Sequence, residues 1–443
     1  MSETLAFDEL VRAFHEYLNQ LPDHRRQGYN TTYAIRDAAL GAFAVFFTQS
    51  PSFLAHQRRM QETKGRSNAQ TLFGIEQTPT DPQIRNLLDP VCPTHLYPLF
   101  PHILAQLDRA GTLASFRGFN GSLLVPLDGT QYFSSKKIRC DQCRRRTLAN
   151  GETLYSHSVI TPVVVKPGQP HVLPLEPEFI LPQDGITKQD CELEAAKRWL
   201  RRYGATYAAY QLTLLGDDLY CHQPFCQSVL DWQMNFIFTC KPDSHPHLYE
   251  WLAFLQADPD DPLPTLTRRH WNGQFAEIWT YHYIDHVPLR ANEGALFVNW
   301  AELIITREDT GEQLYHNSFA TNYEVTETTV EPLVEAGRAR WKIENEGNNI
   351  LKNRGYHLEH NFGHGTQHLS TVLLTLNLLA FLFHTVLHLV DGQYRRLRQH
   401  LAARQTFFND VQTLTRYLCF QSWNHLLDFM TKQLDLDTSP APT

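Results

Sequence analysis

Three acidic residues stand where they could act on one phosphate. Asp128 closes the apolar run Leu123-Leu124-Val125-Pro126-Leu127, which reads as a buried strand. Asp217 follows a second such run, Leu212 to Leu215 and Gly216, and Glu344 lies in the segment Arg340-Trp341-Lys342-Ile343-Glu344, whose pattern is helical. Strands that are neighbours would bring the two aspartates together, and a helix over that sheet edge would supply the third carboxylate. Carboxylates of this kind suit Mg²⁺, which takes oxygen ligands, keeps several waters and is bound through a few acids plus substrate phosphate. Two such ions can activate an attacking water, stabilise a leaving 3′ oxygen and neutralise phosphoryl charge, which is what cutting a phosphodiester requires. One Asp after a strand more often caps a turn, so the weight rests on the three together. Asp218 stands beside Asp217 and Glu346 beside Glu344 as local alternatives.

The elements that must position these acids can be read from the apolar spacing. Residues 1–118 are helical in pattern, with Phe7, Leu10, Val11 and Phe14 and then Ala38, Leu40, Phe43 and Phe46 on helical faces, punctuated by prolines. This predicts a helical N-terminal domain, with DNA-end recognition as its functional role and packing as its plain one. Over 119–250 the strands Leu123–Asp128, Ser158–Val165 and Val172–Ile180 precede a helix over Lys188–Tyr203. Thr187 and Asp190 make its capping-box-like start, and Leu193, Ala196, Trp199 and Leu200 share one face. The strands Leu212–Leu215 and Asn235–Cys240 follow. Residues 251–319 are rich in Trp, Tyr, His and β-branched side chains and predict a β-rich insertion. Residues 320–392 return to the core with the Glu344 helix, and 393–443 form a helical C-terminal region with a helix over Phe407–Leu434 and a frayed tail over Asp437–Thr443. The fold class is α/β, and this order is the one expected of a ribonuclease-H-like core, although other α/β folds share it.

Within that frame the chain resembles the bacterial insertion-sequence transposases of the DDE group that carry a long insertion between the second Asp and the Glu. The resemblance rests on Arg340, Trp341, Ile343 and Glu344 as an Arg-Trp-x-Ile-Glu motif, on the following Leu351-Lys352-Asn353 and Gly355-Tyr356-His357-Leu358-Glu359-His360, on Asp128-Gly129, and on Gly216-Asp217-Asp218-Leu219-Tyr220. It covers most of 121–364. It implies that Asp128, Asp217 and Glu344 are catalytic and hold two Mg²⁺ or Mn²⁺ ions, and that Arg340 and Lys352 contact DNA. A guanidinium suits bidentate phosphate contact. The family places a Tyr three positions before the Arg and a Lys seven after the Glu; here Gly337 and Leu351 stand there, with Lys352 one place beyond. Without the motif, Arg340 and Glu344 would read as an i,i+4 surface ion pair; Trp341 and Ile343 are expected to anchor the helix in the core.

Bulk composition bounds this picture. With 443 residues, 42% of them hydrophobic, the chain can bury a large core in two or three folding units, and its net charge of −8 argues against binding nucleic acid by overall charge. DNA contact would fall to local clusters: Lys136, Lys137, Arg139 and Arg144 to Arg146; Lys197, Arg198, Arg201 and Arg202; and Arg395, Arg396 and Arg398. Any single cluster is more often a solvated face. Eight scattered cysteines and an acidic N-terminus lacking a secretory pattern predict a reducing, cytoplasmic setting, and the resemblance implies a bacterial protein that is nucleoid-associated when bound to DNA. The stretch from His368 to Val390 nears the length of a membrane span, but its Ser, Thr, Asn and His residues favour a buried core helix and no membrane partner.

Further side chains invite a ligand. Cys140-x-x-Cys143, with His157 and Cys191 at a distance, could hold a structural Zn²⁺, free thiols being about as expected. His357, His360 and His364 read as a polar rim or phosphate contacts, and Trp271, Trp279 and Trp300 as core residues that could instead stack on an extruded base. Taken with the resemblance, the expected activity is metal-dependent cleavage at transposon ends and transfer of the 3′ hydroxyl into target DNA. The partners would be double-stranded DNA carrying terminal inverted repeats, target DNA and a second copy of the chain in a homodimer. The rival readings are a transposase-derived DNA-binding protein that no longer cuts and a nuclease that does not join strands.

Overall fold

The computed structural model describes residues 7–25, 32–60, 67–182, 188–256, 262–401 and 403–436. Six helices open it: α1 (Phe7–Leu18), α2 (Ile35–Phe47), α3 (Phe53–Met60), α4 (Asn68–Phe73), α5 (Asp81–Leu88) and α6 (Leu99–Arg109). Strands β1 (Leu123–Pro126), β2 (Gly129–Ser135), β3 (Arg144–Thr147), β4 (Thr153–Ile160), β5 (Val163–Val164), β6 (Leu173–Pro174) and β7 (Glu178–Ile180) follow. Next come α7 (Lys188–Ala208), β8 (Leu212–Gly216), α8 (Gln223–Asp231), β9 (Asn235–Thr239) and α9 (Pro246–Gln256). A meander of β10 (Thr265–Trp271), β11 (Ala276–Pro288), β12 (Phe297–Arg307) and β13 (Gln313–Thr321) leads to α10 (Val330–Arg338) and α11 (Asn349–Asn353). The helices α12 (Leu369–Val390), α13 (Gly392–His400), α14 (Arg404–Tyr417) and α15 (Trp423–Gln433) complete a mixed α/β protein that is helical at both ends.

The main sheet has seven strands in the order β1-β8-β9-β13-β12-β11-β10. Its first three are parallel, and β13 joins the outer edge of β9 antiparallel, with Phe319 opposite Thr239 and Thr321 opposite Ile237. The inserted strands therefore prolong this sheet instead of forming a separate one. On the other side of β1 the chain turns at Leu127-Asp128 into β2, which pairs antiparallel with β4, and Val165 bridges back to Leu124. β4 is paired in turn with β7, and β5 with β6. The chain 153–165 thus lies between the β1–β2 run and the β6–β7 run.

Helices from the two chain ends share one core. The Phe7 ring lies 4.7 Å from Phe47 and 5.0 Å from Trp423, and Phe383 of α12 packs against Phe14 and Phe43 at 5.9 and 5.0 Å. Both α2 and α12 are apolar around most of their circumference because neighbours surround them. α12 is long and apolar enough to cross a membrane by length and composition, yet 89% of its most apolar window is buried inside the protein. It is the core helix that its interspersed Ser, Thr, Asn and His residues suggested.

Several expected boundaries shift. α7 runs on to Ala208, five residues past Tyr203. The hairpin strand β3 carries Arg144, Arg145 and Arg146 and lacks an apolar alternation that would mark it. The helix expected over Phe407–Leu434 is two: α14 ends where Leu418 turns extended, and the Ser422 side chain caps α15 by accepting from the His425 N–H. Thr187 of the proposed cap and the frayed Asp437–Thr443 tail lie outside the described residues, and Asp190 falls in the first turn of α7.

Candidate functional site

β1 and β8 are parallel neighbours in register, Pro126 opposite Leu215, and the Leu127 N–H donates to the Leu215 carbonyl at 2.9 Å. Both chains leave the sheet at the same end, which brings Asp128 and Asp217 to one edge. The Asp128 carboxyl is pushed up to about 7, first by burial and then by the negative charge of Glu192; Arg340 opposes this, while Glu344 and Asp217 add to it. The second strand-borne acid, the acid from the later segment and Arg340 therefore all act on Asp128. Asp217 turns its chain, accepting the Leu219 N–H at 3.0 Å. Gly216 must be small, since a Cβ there would sit 2.8 Å from the Tyr220 ring.

The local alternatives separate by what each side chain touches. Burial alone would raise the Asp218 carboxyl, but hydrogen bonds from His245, Ser244 and the Lys241 N–H, the last at 2.7 Å, hold it below the ordinary range. Asp218 thereby ties β8 to the turn before α9, and it is Asp217 whose charge acts on Asp128. Glu346 lines a different cavity, against His171, His388, Arg398 and Arg404, whereas Glu344 raises the Asp128 carboxyl.

The segment bearing Glu344 is not the regular helix its pattern predicts. After α10 it tightens into a 3-10 turn over Ala339–Trp341, widens into a π-helical stretch over Ile343–Asn348 and resumes as α11. Single π turns are uncommon and tend to occur at functional sites. Arg340 and Glu344 make no ion pair among the described residues, and the guanidinium instead lies 4.8 Å from the Trp341 ring. Ile343 is fully buried, but Trp341 is 49% exposed, so Ile343 alone anchors this stretch and the expected Trp341 anchor is corrected. Gly337 packs α10 directly on the sheet, where a Cβ would meet Phe319 at 2.7 Å and Ile237 at 3.1 Å, so a tyrosine cannot occupy that place. Leu351 is buried, and Lys352 pairs with Glu359 at 3.0 Å.

The sequence reading missed Glu192. It sits on the inner face of α7 with Cys191, Ala195, Ala196 and Trp199, all buried. One oxygen, Oε1, accepts the Gly129 N–H at 3.1 Å and the Tyr220 hydroxyl at 2.9 Å. Gly129 has to be glycine because a Cβ would fall 2.6 Å from Oε2. The available signal was an acid within the apolar stripe of a helix, where an unpaired charge is costly.

A second constellation lies on the β2–β4 side. Cys140, Cys143, His157 and His364 bring one ligand atom each within 4.8 Å of one another, a group that could hold a metal ion. Cys140 Sγ is 3.8 Å from Cys143 Sγ and 3.4 Å from His157 Nε2; Cys143 Sγ is 3.3 Å from His157 Nε2 and 3.6 Å from His364 Nε2. The Cys140 N–H points at Cys143 Sγ at 3.3 Å. His364 takes the place assigned to Cys191, which lies elsewhere, on α7, and His364 is buried instead of forming a rim. His364 arrives from the loop before α12, and sequence spacing gave no reason to join it to a Cys pair more than 200 residues earlier. Cys221, Cys240 and His245 form a smaller buried group, with His245 Nε2 3.5 Å from Asp218.

No protein family matches this chain. No curated protein is significantly similar to it either.

Much of the expected basic surface is already engaged. Arg198 and Arg202 both grip the buried Glu178, the latter at 2.9 Å, Lys197 pairs with Glu194 at 2.6 Å and Lys136 with Glu152. Arg395 donates to the carbonyls of His388 and Leu389 at 2.9 and 2.6 Å, capping the end of α12. Arg145 and Arg146 are exposed on β3. Of the three tryptophans in the inserted strands, Trp300 is core, Trp279 is covered by the Arg338 guanidinium at 4.9 Å, and Trp271 stands 66% exposed.

Proposed function

We propose that the protein is a DDE-type DNA transposase that cuts at transposon ends and joins the freed 3′ hydroxyl to target DNA. The observation that carries this reading is that Asp128 and Asp217 follow two adjacent parallel strands at the same end, and that Asp217, Glu344, Glu192 and Arg340 all act on Asp128 there. Strand pairing supports a ribonuclease-H-like core: three antiparallel runs at 123–135, 153–165 and 173–180, the crossover helix α7, then the parallel strands β8 and β9. Support of this kind is analogy of fold and topology.

A carboxyl raised to about 7 by burial first and by neighbouring acids after it fits a site for hard divalent cations, whose charge would offset both effects. Asp128 and Asp217 would hold Mg²⁺ or Mn²⁺ jointly, and Glu344 would complete a second position. When bound, two ions supply Lewis acidity and an activated water. The protein's own part is positional. Tyr220 and the Gly129 N–H fix Glu192, Asp217 is locked by its turn, and the Arg340 guanidinium would grip a phosphate. Two ends would be processed together by a dimer on DNA. The Cys140, Cys143, His157 and His364 group is read as a structural zinc site. With metal bonds of about 2.3 Å to sulfur and 2.05 Å to nitrogen, a tetrahedron has edges of about 3.8 Å (S to S) and 3.6 Å (S to N), close to the spacings here.

The test uses DNA duplexes ending in the inverted repeats that flank the gene, incubated with the purified protein and Mg²⁺ or Mn²⁺. Cleavage exposing a 3′ hydroxyl, followed by its joining to a second duplex, is expected, and Asp128→Asn, Asp217→Asn and Glu344→Gln should abolish both steps. Cleavage that persists in all three variants, or a wild-type protein inert on these ends, overturns the reading. Cutting without joining leaves a nuclease.

A further inference from the structure

Behind the π-helical stretch lies a cavity of about 220 Å³ that the catalytic reading does not use. Its walls include His171, Glu346, His384, His388, Arg398 and Arg404. The volume is several times the ~30 Å³ share of one water. Arg398 and Arg404 have no carboxylate partner among the described residues. Arg404 donates to the Tyr356 hydroxyl at 3.0 Å, and Arg398 makes a long contact, 3.4 Å, to the Ala403 carbonyl and lies 5.3 Å from the Phe407 ring. Glu346 is the one acid on the wall and makes no ion pair among the described residues. His384 is 98% buried and its Nδ1 engages the Tyr356 hydroxyl at 2.6 Å. The rings of His171 and His388 lie 4.1 Å apart. Arg395 stands nearby, and the three arginines together depress both of these imidazoles after burial has done so first.

Holding two half-buried guanidinium groups that repel one another, neither in ion-pair contact with a carboxylate among the described residues, is costly, and an apolar or cationic ligand would leave that cost in place. An oxyanion offsets it, and the flat fork of Arg matches the oxygens of a phosphate. The cavity is also tied to the acid site. Glu344 and Glu346 are two residues apart on one π-helical stretch, the first acting on Asp128 and the second lining this cavity. Lys342, from the same segment, donates to the Gln169 carbonyl at 2.9 Å and so holds the loop that brings Pro170 and His171 to the wall.

We propose that this cavity takes a phosphate group of the DNA backbone, gripped by Arg398 and Arg404 with His171 and His388 as hydrogen-bonding neighbours, and so seats DNA against the back of the Glu344 stretch. The oxyanion site stands on the cavity's own chemistry; DNA as the source of the phosphate rests on the transposase reading.

The experiment compares the full chain with Arg398→Gln/Arg404→Gln and, separately, Glu346→Gln. Inorganic phosphate should raise the wild-type melting temperature by ~2 °C or more and leave the double variant unmoved. Duplex affinity, read by fluorescence anisotropy, should fall about tenfold in the double variant, with a log–log salt slope shallower by about 1. Glu346→Gln, which removes the opposing charge, should tighten duplex binding, and it serves as the decisive variant should the double substitution fail to fold. Loss of the phosphate shift with unchanged DNA affinity overturns DNA as the source in favour of a free oxyanion. No phosphate shift in the wild type, or weaker DNA binding by Glu346→Gln, overturns the site itself. A wild type that responds to phosphate but binds no DNA counts against the transposase reading and not against the anion site.

Discussion

The Tyr220 hydroxyl and the Gly129 N–H converge on one oxygen of Glu192, at 2.9 and 3.1 Å, and the charge of Glu192 acts on Asp128. A glutamine can keep both bonds through its amide oxygen while deleting the charge. Glu192→Gln should therefore keep its stability within about 1 kcal/mol, whereas Glu192→Ala, which orphans one buried and one half-buried donor, should lose about 2–3 kcal/mol in urea unfolding. If the charge serves cation binding, cleavage by Glu192→Gln should drop about tenfold at limiting Mg²⁺ and recover as Mg²⁺ is raised. Equal cleavage by wild type and Glu192→Gln at every Mg²⁺ concentration would make Glu192 purely architectural.

The Cys140, Cys143, His157 and His364 group predicts bound zinc. Protein purified without a histidine tag should carry about one zinc per chain, and Cys143→Ser or His364→Ala should lose it and melt ~5 °C lower or more. Cys191→Ser should keep it, because Cys191 lies apart from the group. Zinc retained in His364→Ala, or lost in Cys191→Ser, contradicts this geometry.

Gly337 offers a stability test away from any charge. A Cβ on α10 at this position would press on the Phe319 ring at 2.7 Å, and Phe319 and Ile237 are both buried in the sheet. Gly337→Ala gains about 1 kcal/mol of helix propensity in the abstract, but overpacking costs about 1–3 kcal/mol, so a net loss is expected. A urea midpoint equal to or above that of the wild type would show that α10 can lift from the sheet at little cost.

What the sequence made legible follows from how each signal is written. The strands bearing Asp128 and Asp217 were readable because buried parallel strands are continuous apolar runs. The Arg340 to Glu344 segment was readable as a motif but not as a shape: a π turn leaves no distinctive periodicity, and Trp341 looked like a core residue although it is half exposed. Glu192 and His364 were missed for one reason, that each gains its meaning from partners far along the chain, Tyr220 for the first and Cys143 for the second. The arginine clusters at 197–202 and 395–398 read as surface, and their side chains prove to be taken up by Glu178, by helix-end carbonyls and by an interior cavity.

The pH dependence of folding should carry the mark of Glu176. This side chain is fully buried, its carboxyl is pushed up to about 7 by burial, and the hydrogen bond from Tyr207 only partly opposes that. In the unfolded chain the same group titrates near 4.5. Between those values the folded state binds the extra proton, so its contribution to stability is fully present below the unfolded pKa and is lost as pH rises through about 7. A gap of this size corresponds to a loss on the order of 3 kcal/mol. Glu176→Gln keeps an acceptor for Tyr207 and cannot ionise, so its stability should fall less between pH 5 and pH 8 and should exceed that of the wild type at the upper end. Urea unfolding of both proteins across that range measures the difference, and parallel curves would mean that Glu176 keeps one protonation state throughout.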